Sequence, residues 1–447
     1  MKIIYSDNSI KDFLNVPQFN KLEKYKISRF LTWYFYNKKL LLFNILTKTL
    51  ITISIELWEF LRDGKFNKIE EDDLKTLISE HFVVPEELDE LTLYTELYTL
   101  IKQIAGTNKF IDRYNILTTT ACNARCFYCF EQGLHPIHMT NEIAKDVSAF
   151  ILSSHNPHKR IHLRWFGGEP LVNKKAISII TQELTNYDID FYSTMSTNGL
   201  LFSNDLIKEA KDNWHIKLVR ISLDGFPEEH NRRKNYYAEG NHFERTINNI
   251  EKLIEHGISV NIRLTIDHGN VDSMIDLSKW LIGKLGKNPL ITIYTRCIFE
   301  EVSEIKASQN YDKVLSLVRK TREIDSWLID QDIYDWSRIS PIGFSNYFCA
   351  ANNPHAVVVS PDGKLCCCES VNNETAYWGD IWKGETNTDL RASWLNGQIR
   401  EKCKSCKFLP VCTPFDKCEI NYYDCVDKNE YIHNLFMKLK YDSYCHC

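Results

Sequence analysis

Cys122, Cys126 and Cys129 stand in the stretch ACNARCFYCFEQG, three residues between the first pair and two between the second. Thiols this close in sequence serve as metal ligands or as disulfide partners. The chain has 15 cysteines, an odd number, and none precedes Cys122. Cys297 stands alone, and eleven fall between Cys349 and Cys447. The opening MKIIYSDNSIKDF has no apolar core and no small-residue cleavage site, so no secretory signal is visible and a reducing, cytoplasmic location is expected. Clustered cysteines in such a compartment point to metal. A structural zinc site wants four ligands, commonly from two CxxC knuckles. Three thiolates around an iron–sulfur cluster instead leave one iron open to bind a substrate or cofactor.

Such a loop needs a scaffold. With 447 residues, 44% hydrophobic and 25% charged, the chain is long enough for two or three domains. A formal charge of −5 argues against binding nucleic acid through bulk positive charge. The most apolar segment, LLLFNILTKTLITISIELW, is interrupted by Asn44, Thr47, Lys48 and Thr49, so no membrane span is expected. Residues 1–105 read as three strands (SRFLTWYFYN, KLLLFNIL, TLITIS) followed by three helices. From 106 to 310, apolar strands such as YNILTTT, RIHLRWFGG, DFYSTMSTNG, KLVRISLDG, SVNIRLTID and ITIYTRCIF alternate with helical stretches. Six strand–helix units predict an α/β fold, a partial (β/α)6 barrel of the TIM type, with chemistry at the C-terminal strand ends. Cys122, Gly167–Glu169, Asn198 and Asp224 all follow a strand. Residues 311–345 read as a charged helical connector and 346–447 as a cysteine-rich domain.

CxxxCxxC with Tyr128 before its last cysteine resembles the signature of radical S-adenosylmethionine (SAM) enzymes. The resemblance implies that Cys122, Cys126 and Cys129 hold a [4Fe-4S] cluster whose open iron binds SAM, and that reductive cleavage yields a 5′-deoxyadenosyl radical. GGEP at Gly167, Gly168, Glu169 and Pro170 resembles the strand end that receives the cofactor's amino group. STNG, with Ser196 and Asn198, resembles the ribose-binding strand, and SLDG, with Ser222 and Asp224, the next strand end. Arg263 suits the cofactor carboxylate, a planar anion that a guanidinium matches.

The tail resembles the SPASM extension, which implies two auxiliary [4Fe-4S] clusters, three clusters in all. Cys403, Cys406, Cys412 and Cys425 would hold the outer cluster and Cys349, Cys368 and Cys418 the inner one. Two features depart from the family pattern: five residues separate Cys412 from Cys418, and Cys366-Cys367-Cys368 is a triple. Cys445 and Cys447 compete with Cys425, and the fourth inner ligand stays open between Cys297, Cys366, Cys367 and a substrate thiolate. Cys297 also reads as a plain buried core thiol.

Residues 1–105 resemble a RiPP recognition element, a winged-helix-like domain that binds the leader of a ribosomally made precursor peptide as an added strand. The expected function is a peptide maturase that installs a cross-link, a cysteine thioether or a C–C or C–O bond, with electrons from a donor such as flavodoxin or ferredoxin. The alternatives are an anaerobic sulfatase-maturing enzyme and a non-catalytic cluster-bearing scaffold. His135, His138, His155, His158 and His162 read as surface residues, and Arg232–Lys234, near His230, as a solvated charge run or an acidic-peptide grip. The sequence names no catalytic acid or base.

Overall fold

The computed structural model describes residues 1–6, 14, 19–20, 24–36, 39–106, 110–133, 135–335, 350–370 and 374–411. They group into two units, one of residues up to 106 with 398–411, the other of 110–335 with 350–397.

In the first unit, β1 (Lys2–Tyr5), β3 (Leu31–Tyr36), β4 (Lys39–Asn44) and β5 (Thr49–Ile53) form an antiparallel sheet in the order β1-β5-β4-β3. The short strands β2 (Tyr25–Ile27) and β6 (Val83–Pro85) pair separately. Three helices follow the sheet as the hydrophobic spacing predicts: α1 (Ile55–Arg62), α2 (Glu71–Ser79) and α3 (Glu90–Gly106). Ser54 caps α1 by accepting the Leu57 N–H. Strand alternation sends Leu40, Leu42, Ile51 and Ile53 to one side, against Leu57, Leu61, Leu77 and Ile78. Leu41, Phe43 and Leu50 go to the other, against Tyr94 and Leu97 of α3 and Phe408 and Leu409. Cys403 and Cys406 lie against this second core. Two additions escaped the sequence reading: β1, and the β2–β6 pair.

The second unit is built on six parallel strands: β7 (Arg113–Thr119), β8 (Ile161–Gly167), β9 (Phe191–Thr197), β10 (Ile216–Leu223), β11 (Ser259–Ile266) and β12 (Ile291–Cys297). Between them run α4 (Asn141–Ser154), α5 (Lys174–Asn186), α6 (Asn204–Asp212), α7 (Pro227–Lys234), α8 (His242–Glu255) and α9 (Met274–Leu285). This is the predicted partial barrel. Alternate residues such as Leu163, Trp165, Met195, Val219, Ile221 and Ile262 are fully or almost fully buried, on the helix-covered face. Their neighbours Arg164, Ser196, Arg220, Ser222 and Arg263 are half-buried on the concave face.

Residues 311–335 of the stretch read as a connector are part of this packing. After α10 (Glu304–Gln309), α11 (Tyr311–Asp330) buries one face and holds β12, its Asp325 accepting the Thr295 N–H (3.1 Å) and hydroxyl (2.7 Å). The sheet also continues beyond β7. There β13 (Ala356–Val359) pairs in parallel, followed by antiparallel β14 (Lys364–Cys366), β15 (Tyr377–Asp380) and β16 (Gly384–Glu385). The helix α12 (Thr388–Leu395) follows in this unit, and α13 (Glu401–Lys404) belongs to the first.

Candidate functional site

The cysteine loop leaves the end of β7 and is pinned from two sides. On the β8 side, Gly168 N–H donates to Thr119 O (3.0 Å) and Glu169 N–H to Ala121 O (2.9 Å). A Cβ on Gly168 would lie 2.6 Å from Thr120 O and 2.7 Å from Ala121 C, so only glycine permits this approach. Gly167 adds φ +115. On the other side, the Arg125 N–H donates to Lys234 O and Asn235 O (both 3.0 Å) and the Tyr237 N–H to Asn123 O (3.1 Å). Asn235 ends α7 in the left-handed conformation (φ 47), which turns the chain back along the loop.

Glu169 is fully buried and joins two strand ends. Its carboxylate accepts from Leu171 N (3.2 Å), Thr197 Oγ1 (2.7 Å) and Asn198 N (2.8 Å), while burial pushes its pKa above the usual range. Asn198 reaches the loop itself, donating to Asn123 Oδ1 (2.6 Å).

Tyr128, between the last two loop cysteines, meets a buried ion pair. Its hydroxyl donates to Asp224 Oδ2 (2.5 Å) and accepts from Lys234 Nζ (2.8 Å). Lys234 also donates to Ser222 Oγ (2.7 Å) and lies 3.2 Å from Asp224 Oδ1. Burial alone would raise the Asp224 carboxyl; Lys234, His230 and the Tyr128 hydroxyl outweigh it and hold the pKa below the usual value. His230, buried and next to Lys234, is pushed down to about 3, and its Nδ1 accepts the Asp224 N–H (3.3 Å). Arg233 makes a two-pronged pair with Asp267 (3.2 and 2.8 Å), its guanidinium 4.9 Å over the Phe127 ring.

This corrects the reading of Arg232–Lys234. Only Arg232 is solvated; Arg233 and Lys234 are each 2% exposed. The periodicity held the signal, because His230, Arg233 and Lys234 share one helix face (i, i+3, i+4), and that face is the buried one.

The loop thiols suit a group that supplies positive charge. Burial pushes Cys122 up to about 12 and raises Cys129, and Cys126 acts electrostatically on both. Thiols so desolvated ionise only against a cation. Among the described residues no three His, Cys, Asp or Glu side chains close around a single metal ion. A four-iron cluster spaces its thiolates more widely than one ion does.

Arg263 is half-buried on the concave face, its Nε buried without a hydrogen-bond partner among the described residues, and it acts electrostatically on Tyr128. Ser196 lies on the same face. Cys297 is buried, its Sγ 3.2 Å from Thr321 Oγ1 of α11, which fits a core thiol. Cys366 and Cys367 are buried and Cys368 half-buried; Cys349, Cys412, Cys418, Cys425, Cys445 and Cys447 lie outside the described residues.

Two acidic residues unmarked by the sequence reading also reach the site. Glu369 pairs with Arg164 (2.9 Å) and accepts from Asn115 Nδ2 (3.1 Å). Glu131 is pushed up to about 7 by burial and then by repulsion from Glu369.

His162 departs from the surface role expected of it. It is half-buried, stacked on Tyr192 (4.7 Å), and its Nε2 lies 2.9 Å from Thr194 Oγ1. Burial, then Arg113, Arg164 and Arg220, push its pKa down to about 4. The folded value lies below the unfolded one, about 6.5, so between those two pH values the unfolded chain binds more protons and stability falls as pH falls. Urea titrations at pH 7 and pH 5 should therefore show the wild type losing about 2 kcal/mol more than His162→Gln. Equal losses would mean that His162 titrates normally.

The comparisons with known proteins follow this geometry. Residues 116–281 match the family model of the radical SAM superfamily. A GTP 3',8-cyclase of Clostridium perfringens is 28% identical over 217 residues, which are 48% of this chain and 64% of that relative, so the match spans just under two thirds of the cyclase. Native anSMEcpe with bound AdoMet and Cp18Cys peptide superposes with a TM-score of 0.58 at 18% identity, covering 74% of this chain and 99% of that one. Streptococcus suis SuiB gives 0.50 at 16% identity, covering 89% and 96%. At those identities the likeness is one of fold. The matched family implies one [4Fe-4S] cluster and SAM, and the three loop thiols fit that cluster. Over residues 116–281 the chain is therefore similar to a radical SAM domain.

Proposed function

We propose that this chain is a radical SAM maturase of a ribosomally made precursor peptide. The observation that carries the reading is the separate antiparallel sheet ahead of the barrel. One of its edges, along β5, is occupied by the chain's own β1, while the outer edge of β3 pairs with no strand among the described residues. Trp33 and Phe35 of β3 are 46% and 49% exposed, and Trp33 packs on Trp58 at 5.7 Å. A strand edge offers a leader peptide backbone hydrogen bonds, and the aromatic pair offers it selectivity. That anSMEcpe has been solved with a bound peptide supports a peptide substrate for this fold.

When bound, the cluster and SAM supply the radical that takes a hydrogen atom from the peptide. Cys122, Cys126 and Cys129 would hold the cluster; Ser196, Asn198, Arg263 and the Gly167–Glu169 strand end would receive the cofactor. Tyr128, Ser222 and Asp224 support the loop beside it. For a thioether, the peptide loses one C–H and one S–H bond and gains one C–S bond. One electron and one proton must leave after the first hydrogen atom, and the auxiliary clusters expected on Cys349, Cys368, Cys403, Cys406, Cys412, Cys418 and Cys425 would accept the electron.

The test is anaerobic incubation of the reconstituted protein with SAM, dithionite and a cysteine-containing candidate precursor peptide. The expected product has lost two hydrogens, and tandem mass spectrometry locates the bond. A peptide returned unchanged while GTP is consumed would replace this reading with a nucleotide cyclase. Trp33→Ser combined with Phe35→Ser should weaken binding of the same peptide about tenfold, a loss of about 1.4 kcal/mol. Unaltered affinity in anisotropy titrations would remove the β3 edge from the reading.

A further inference from the structure

Two buried cations of α7 lie against the two residues that join Cys126 to Cys129. Those residues, Phe127 and Tyr128, each carry an aromatic ring. The Arg233 guanidinium sits 4.9 Å from the centre of the Phe127 ring and 5.9 Å from that of Tyr128, and Lys234 Nζ sits 5.5 Å from that of Tyr128. Lys234 holds the loop at two points. Its carbonyl accepts the Arg125 N–H (3.0 Å), and its Nζ donates to the Tyr128 hydroxyl (2.8 Å). Both cations are 2% exposed. His230, on the same helix face, stays neutral because its pKa is pushed down to about 3. The charge of that face therefore rests on Arg233 and Lys234.

Their counter-charges have fewer contacts with the loop. Asp267 accepts both prongs of Arg233 and the Gly269 N–H (2.8 Å), and makes no hydrogen bond to the loop among the described residues. Asp224 bonds to it at one point, the Tyr128 hydroxyl. Lys234 favours the ionised form of Cys129, against the opposing influence of Glu131 and Cys126. Three thiolates make a four-iron cluster anionic overall, and reduction by one electron adds a further negative charge. Burial opposes that added charge, and net charge is one of the levers that set a cluster's potential. A fixed cation in the same poorly solvated surroundings offsets the cost.

We propose that Lys234, assisted by Arg233, sets the reduction potential of the cluster that Cys122, Cys126 and Cys129 would hold, its buried ammonium stabilising the reduced state. The electron comes from the external donor, dithionite in the experiment below. The inference goes beyond the peptide-maturase reading, since it concerns the loading of the electron and holds whichever substrate follows. Asp224 then has a second role: it keeps Lys234 charged in a buried place and moderates its effect on the loop.

The test is a redox titration at pH 8 of the full chain, anaerobically reconstituted, followed by electron paramagnetic resonance. The signal of the loop cluster is the one missing from the Cys122→Ala/Cys126→Ala/Cys129→Ala variant. In Lys234→Met the ratio of reduced to oxidised loop cluster at a fixed potential should fall at least about tenfold, which is about 59 mV for a one-electron couple. Lys234→Arg, which keeps the charge, should stay within about threefold of wild type. Asp224→Asn keeps the cation and removes the carboxylate, so its ratio should rise, and the Lys234→Met/Asp224→Asn variant should fall between the two single ones. Arg233→Gln should shift the ratio in the same direction as Lys234→Met, by less. Iron assays and thermal melts report whether each variant folds and fills its loop. If Lys234→Met does not, the opposite shifts of Asp224→Asn and Arg233→Gln carry the test. An unchanged midpoint in Lys234→Met overturns the proposal, as does a shift of the same sign in Lys234→Met and Asp224→Asn, since loosened packing would move both alike.

Discussion

Gly168→Ala is expected to reduce the iron bound by the 122–129 loop to background and to lower SAM cleavage by about a hundredfold or more. The added methyl group would meet Thr120 O and the Ala121 carbonyl carbon well inside van der Waals contact, and both are backbone atoms at the root of the cysteine loop. Neither can swing aside as a flexible side chain would. Either the β8 end retreats, breaking the Gly168–Thr119 and Glu169–Ala121 hydrogen bonds, or the loop does. Both movements displace Cys122 relative to Cys126 and Cys129. Gly283→Ala is the control, since nothing lies within 4 Å of its added carbon and it sits inside α9, where alanine should add about 0.5–1 kcal/mol of stability. Iron and sulfide assays on the two variants decide the matter. Full iron content in Gly168→Ala would mean that the close approach of β8 to the loop is dispensable.

The barrel was legible because each strand is a short apolar run and each helix has its own stripe, both of them local signals. Arg113–Thr119, Ile161–Gly167 and Phe191–Thr197 fall where YNILTTT, RIHLRWFGG and DFYSTMSTNG place them. The cysteine spacing and the GGE, STNG and SLDG strand ends marked the rim for the same reason. Long-range pairing was harder to read. KIIY becomes a strand through Thr52 and Ile51, and AVVV at Ala356–Val359 joins the barrel sheet by lying against β7. The polar core of the site was hidden for a related reason. Hydropathy assigns His230, Arg233 and Lys234 to solvent, yet their partners Asp224 and Asp267 end two other strands and meet them only after folding.

Lys234→Met should cost about 3–5 kcal/mol of folding stability, the loss expected when one partner of a buried ion pair is removed and its counterpart stays behind. The side chains of Asp224 and Lys234 are 0% and 3% exposed, and the two are 3.2 Å apart. Part of that loss should return in the Lys234→Met/Asp224→Asn double variant, which buries no unpaired carboxylate. The pH dependence separates electrostatics from packing. In the wild type the folded pKa of Asp224 lies below its unfolded value, about 3.9, so the stabilisation is present above that pH and lost as pH falls through the folded value. Without Lys234 the burial effect is opposed only by weaker influences, and the folded pKa should rise above the unfolded one. The sign then reverses: the variant is penalised at neutral pH and recovers as acid protonates Asp224. The gap between wild type and Lys234→Met should therefore narrow steadily from pH 7 towards pH 4, with the double variant showing no such trend. A gap independent of pH would show that Lys234 acts through its bulk alone. A narrowing gap together with reduced iron content in Lys234→Met would tie this buried charge, through Tyr128, to the geometry of the cysteine loop.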